Sequence, residues 1–112
     1  MIPEKLRRKI FLLALLPVWA LQALSCASLP QPRTEDLNRT QALWPGLKLE
    51  DLVKGRELYV VHCSGCHSLR IPSQYSEARW QEIMERMQVK AKIDDGTKES
   101  LLKYLLTYAK RD

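Results

Sequence analysis

The amino-acid sequence predicts an all-α protein. Three observations carry that expectation. Stretches between residues 49 and 108 repeat apolar side chains at helical spacing, and no stretch alternates apolar and polar residues as a half-buried strand would. The roughly 85 residues downstream of a short apolar leader make one small domain whose core is marginal by itself.

Residues 1–25 read as a targeting segment. Lys5, Arg7, Arg8 and Lys9 form a positive start, and residues 10–24 are mostly apolar, interrupted by Pro17 and Gln22. That stretch is short for a membrane span, which needs about twenty residues. It ends in Ala23-Leu24-Ser25-Cys26, which resembles the lipobox of bacterial lipoprotein signals. In those proteins the chain is cut before the cysteine, which is then acylated on its thiol and its new amino terminus. The sequence departs from that pattern at Ala23, where leucine is usual. Cleavage near Ala27 by an ordinary signal peptidase, and retention as an uncleaved anchor, stay open as alternatives.

The leader also explains the charge. The chain carries a formal +5, but residues 1–25 hold four Lys/Arg and one acidic residue. Fourteen Lys/Arg against twelve Asp/Glu remain from residue 26 onward, a surplus of two that gives no sign of nucleic acid as a partner.

Residues 26–48 read as a lipid-attached, Pro-rich tether. Pro30, Pro32 and Pro45 stand among Ser, Gln, Thr and charged residues without a sustained apolar period. Such segments stay extended, so the expected role is to space the domain from a membrane. Trp44-Pro45-Gly46 is the exception, an aromatic beside a turn and a candidate for docking on the domain. Asn38-Arg39-Thr40 fits a glycosylation sequon and reads as chance in a bacterial lipoprotein.

The domain is expected over residues 49–112. Its first helix, residues 49–61, carries Leu49, Leu52, Val53 and Leu58 on an apolar face. Directly after it stands Cys63-Ser64-Gly65-Cys66-His67, the spacing that attaches haem of the c type. Both thiols add across the haem vinyl groups to form thioethers, and the following histidine is held beneath the iron as proximal ligand. Other readings fit less well. A thiol redox pair expects a βαβ neighbourhood, which this sequence lacks. A zinc site would have to be completed by His62 and His67, without a second cysteine pair. A disulfide across so short a loop would leave His67 without a role. With Cys63 and Cys66 assigned to haem and Cys26 to lipid, all three cysteines are accounted for, in a compartment where cysteines face an oxidising environment. A covalent haem would also supply much of the missing core volume, so the apo form is expected to be poorly ordered.

The middle helix opens at Ser76 as N-cap, with Glu77 in its first turn and Trp80, Ile83, Met84 and Met87 in an i, i+3, i+4, i+7 stripe. The last helix is expected from about Thr97, after the turn signal Asp94-Asp95-Gly96, and buries Leu101, Leu102, Leu105, Leu106 and Tyr108.

Over residues 49–111 the chain resembles the small single-haem cytochrome c family. Gly55, Tyr59, the motif from Cys63 to His67, the helix carrying Trp80 and Met87, and Tyr104-Leu105 carry the resemblance. It implies a small haem domain of three main helices wrapped around one covalent haem c. It implies that Gly55 lets the last helix cross closely, packing Tyr104 against the first. It further implies that the iron's second axial ligand is a methionine seven residues after the tryptophan, here Met87. Met84, one turn earlier on nearly the same face, stays open as the alternative, as does an open sixth site. His62 directly precedes Cys63 on the proximal side and reads as a surface residue. Arg70 is a candidate partner for a haem propionate, although a solvated surface arginine is the plainer reading.

The sequence shows no carboxylate pair, Ser/His arrangement or phosphate-binding glycine loop, so no independent enzymatic activity is expected. The leading expectation is a one-electron carrier on the periplasmic side of a bacterial membrane, exchanging electrons with redox partner proteins. A haem-based sensor, a subunit of a larger oxidoreductase, and a thiol-exchange protein remain as alternatives.

Overall fold

The computed structural model describes residues 3–4, 28–64 and 69–111. Most of residues 1–25, together with Cys26, Cys66 and His67, therefore lies outside the described residues. Among those described, three α-helices and two 3-10 turns account for the regular structure, and the all-α expectation holds: α1 spans Leu49–Cys63, α2 Glu77–Ala91 and α3 Asp95–Thr107. An isolated bridge between Ser76 and Lys110 is the sole β-type pairing in this part of the chain.

Each helix begins where its sequence can satisfy the first unpaired N–H groups. The Asp51 carboxylate accepts from the backbone N–H of Lys48 at 2.9 Å, which fixes the start of α1. Ser76 caps α2 by accepting from the Arg79 N–H at 3.2 Å. Asp94 caps α3 by accepting from the Thr97 N–H at 2.6 Å. The last helix thus starts two residues before the expected Thr97. The Asp-Asp-Gly sequence is not a free turn, because Asp94 is the cap and Asp95 and Gly96 form the first turn. α2 ends at Lys92, whose φ of 53° is left-handed, and the N–H of Ile93 reaches back to the Gln88 carbonyl at 3.2 Å. This is the wrapped helix end usually given to glycine.

The core lies where α3 is enclosed by the other elements. Leu101, Tyr104 and Leu105 are wholly buried, and Tyr59, Trp80 and Met84 close over them. On α1 the inward face is Leu52, Gly55 and Tyr59, while the expected Val53 is exposed. A stripe of 3.6-residue period set by Leu52 and Tyr59 leaves Val53 about 100° away from it. Gly55 performs the expected task. A Cβ there would stand 2.7 Å from the Tyr104 Cβ and closer still to the Ser100 carbonyl oxygen, so a side chain would push α3 off α1.

The expectation of an extended tether over residues 26–48 is corrected in its described part. From residue 29 the chain is packed along α3. Leu29 and Trp44 rest on the core, Leu47 is buried, and residues Thr34–Arg39 form a 3-10 turn. The attachment is largely polar. The Tyr104 hydroxyl donates to the Pro30 carbonyl at 2.9 Å, and the Tyr108 hydroxyl donates to the Asp36 carboxylate at 2.6 Å. The hydroxyls of Thr40 and Thr107 meet at 2.7 Å, and Thr107 spends its own proton on the Lys103 carbonyl. Thr40 is therefore the donor of that pair. Trp44 docks as expected, followed by Gly46 at φ 81°, a left-handed turn that returns Leu47 to the core.

Candidate functional site

Cys63 is the last residue of α1, one turn beyond Tyr59 and two beyond Gly55, on the buried face of that helix. Across from it, α2 presents its Trp80, Ile83, Met84 and Met87 stripe. Between the two helices opens a cleft of about 280 Å³ whose walls include Cys63, Met84 and Met87. Tyr59, Leu69, Tyr75, Trp80 and Ile83 make most of the remaining wall apolar, and Arg70, Arg79 and Arg86 place guanidinium groups along it.

The segment that leaves the Cys-x-x-Cys-His motif is held by two hydrogen bonds from opposite walls. The Tyr59 hydroxyl donates to the Arg70 carbonyl at 2.7 Å, and the Trp80 indole N–H donates to the Pro72 carbonyl at 2.8 Å. Both side chains are buried, so each bond satisfies a polar atom that would otherwise be costly to enclose. Burial holds the Tyr59 phenol well above its ordinary pKa. The phenol therefore stays a neutral donor. Trp80 is pinned further by edge-on contacts with Tyr59 at 6.2 Å and Tyr75 at 5.2 Å between ring centroids. The chain is thus fixed on either side of residues 65–68, at Cys63 on the cleft wall and again at Arg70–Pro72.

The two methionines differ in their surroundings. Met84 is 2% exposed and belongs to the core cluster, whereas Met87 is half-buried, one turn nearer the end of α2. Both line the same cleft. His62 is exposed, in keeping with its reading as a surface residue, and Arg70 is exposed beside the cleft. Cys66, His67 and Cys26 lie outside the described residues.

The donor set fits a covalently held haem. A thiol stands at the head of the attachment motif, thioether sulfurs come from the facing helix, the lining is aromatic and aliphatic, and cations are available for carboxylates. Sequence reasoning had the motif and the methionine stripe but missed Tyr75, Arg79 and Arg86. Tyr75 had a legible signal, because a hydrophobic residue just before the N-cap commonly packs on the fourth helical residue, here Trp80. Arg79 and Arg86 stand one position before Trp80 and Met87, and so border the same stripe.

Residues 59–112 match the dihaem cytochrome c family. The match begins at Tyr59 and takes in the motif, α2 and α3, and it supports a c-type cytochrome acting in haem-based electron transfer. No curated protein and no solved structure matches the chain.

Proposed function

We propose that this chain is a membrane-tethered one-electron carrier with a single haem c, bound through Cys63 and Cys66, with His67 and Met87 as axial ligands. The observation that carries the reading is the cleft that joins Cys63, at the head of the motif, to the methionine face of α2. The family matched over residues 59–112 is described as dihaem. One haem for this chain rests on its content, a single Cys-x-x-Cys-His and a second histidine, His62, that is exposed. Met87 is favoured over Met84 because Met84 is committed to packing against the core of α3, whereas Met87 is half-buried on the cleft wall.

When bound, the haem supplies a one-electron iron couple, and His/Met ligation raises its potential relative to ligation by two nitrogens. The protein's own contribution is to hold and shield. Tyr59 and Trp80 fix the loop after the motif, while Ile83, Leu69 and Tyr75 keep water from the cleft. Arg70, Arg79 and Arg86 offer charge to propionates, although Arg79 is also paired with Glu82 at 2.8 Å. In this reading the chain is exported, cut before Cys26 and acylated there, and it works on the periplasmic side of the membrane with redox proteins as partners.

Co-expression with a cytochrome c maturation system, followed by denaturing electrophoresis and intact mass, tests the assignment. One covalent haem per chain is expected, lost or singly tethered in Cys66→Ala. Normal holo-protein from Cys66→Ala, or no covalent haem on the wild-type chain, would contradict it.

A further inference from the structure

We infer that the haem domain is held down on the lipid surface rather than swung out from it, because the segment between the anchor and α1 is fastened to the domain itself. This inference rests on the reading of Cys26 as the anchored residue.

The fastening begins almost at once. Leu29 already packs on the core, and the Pro30 carbonyl accepts the Tyr104 hydroxyl at 2.9 Å. From there the segment follows α3 toward the C-terminus. Asp36 receives the Tyr108 hydroxyl at 2.6 Å, Thr40 meets Thr107 at 2.7 Å, and the Arg39 carbonyl accepts from the Arg111 guanidinium at 3.2 Å. The Arg39 guanidinium also lies 5.8 Å from the centre of the Tyr108 ring. Asp36, Thr40, Tyr108 and Thr107 are all buried, so the Asp36–Tyr108 and Thr40–Thr107 contacts are enclosed parts of the domain, while the Arg39–Arg111 bond lies at the surface. Residues 29–47 consequently contribute no reach.

The chain left to span the gap is the step from Cys26 to Leu29. Fully extended, three residues cover at most about 11 Å. Had the whole of residues 26–48 been a free coil, its root-mean-square span would be roughly 25 Å and its full extension several times that of the short step. The partner implied at this end of the domain is therefore the lipid headgroup layer, in contact with the side of the molecule where Leu29 and Pro30 enter. Electron exchange is accordingly confined to redox partners that themselves bring a site close to the membrane plane.

The test uses the full-length holo-protein, acylated in a bacterial host and reconstituted in phosphatidylethanolamine/phosphatidylglycerol vesicles that carry a headgroup fluorophore. Haem quenches such a dye by energy transfer, so quenching reports its height above the lipid. It is compared with a variant carrying ten Gly/Ser residues inserted between Ser28 and Leu29, which leaves every contact of the fastened segment in place. The insertion adds a coil of roughly 17 Å, and quenching is expected to fall at least about twofold. Equal quenching by the two proteins, with fatty-acid label present on both, would overturn the held-down geometry while leaving the anchor in place. Absence of label from Cys26 would overturn the anchor reading, and this inference with it.

Discussion

At the scale of single residues, the proposed reading gives the two methionines on α2 separable duties. Met87→Ala should convert the ferric spectrum to high spin, because its half-buried side chain is the proposed axial ligand. Met84→Ala should keep the low-spin spectrum and cost about 2–5 kcal/mol, the usual range for truncating a buried side chain of this size. Optical spectra and denaturant unfolding of the two variants check this, and exchanged outcomes would transfer the ligand to Met84. The attachment motif was legible because its chemistry demands a fixed spacing. The choice between the methionines was not, since residues three or four apart share a helix face, and the proposal of Met87 rests on their difference in burial. Lys92 is a residue of another kind. It holds a left-handed conformation that costs a side-chain-bearing residue about 1–2 kcal/mol, part of which glycine's extra chain entropy would offset. Lys92→Gly should raise stability by about 0.5–1 kcal/mol, read from the denaturation midpoint.

At the scale of elements, the crossing of α1 and α3 is set by one missing side chain. Gly55→Ala introduces a methyl where Tyr104 and the Ser100 carbonyl already stand. The helices must separate, at a cost of about 1–3 kcal/mol typical of overpacking. Thermal unfolding of the holo-protein would show it, and an unchanged midpoint would mean that the crossing tolerates a side chain. The helices themselves were largely visible in the sequence. Ser76 and the Trp80–Met87 stripe of α2 stand as expected, and so does the Gly55–Tyr104 pair. The segment over residues 29–48 was not visible, because apolar periodicity is the signal a sequence gives most clearly. What fastens this segment is a set of single polar contacts, Pro30 to Tyr104, Asp36 to Tyr108 and Thr40 to Thr107, each between residues more than sixty positions apart. No local pattern encodes such pairs. On α1 the expected face holds at Leu52 and Leu58 and fails only at Val53, which lies off the stripe that Leu52 forms with Gly55 and Tyr59.

At the scale of the whole molecule, three buried tyrosines make the fold sensitive to alkali. Tyr104 is pushed up to about 12 by burial, against which the neighbouring Arg56 works. Tyr59 and Tyr108 are also raised, chiefly by burial, and Tyr108 further by its bond to Asp36. In the unfolded chain each phenol titrates near its ordinary value of about 10. With the folded values higher, the folded state retains protons that the unfolded state has lost. The stabilisation is therefore complete below about pH 10 and is lost as pH rises through the folded values. The unfolding midpoint should fall as pH rises beyond that point, with Tyr104→Phe making the fall shallower. These tyrosines tie the fastened segment, the helices and the cleft into one cooperative body. Tyr59 grips the loop after the motif, Tyr104 and Tyr108 hold residues 30 and 36, and Tyr59 and Tyr108 each stand against the Tyr104 ring at 6.2 and 5.2 Å. The most direct measurement of the central claim is the pair of oxidised and reduced absorption spectra of the matured wild-type protein. A reduced band characteristic of haem held by two thioethers, with a weak far-red ferric band from an iron–sulfur bond, is the predicted result. Covalent haem without the far-red band would contradict the His/Met electron carrier and point to an open or differently ligated iron.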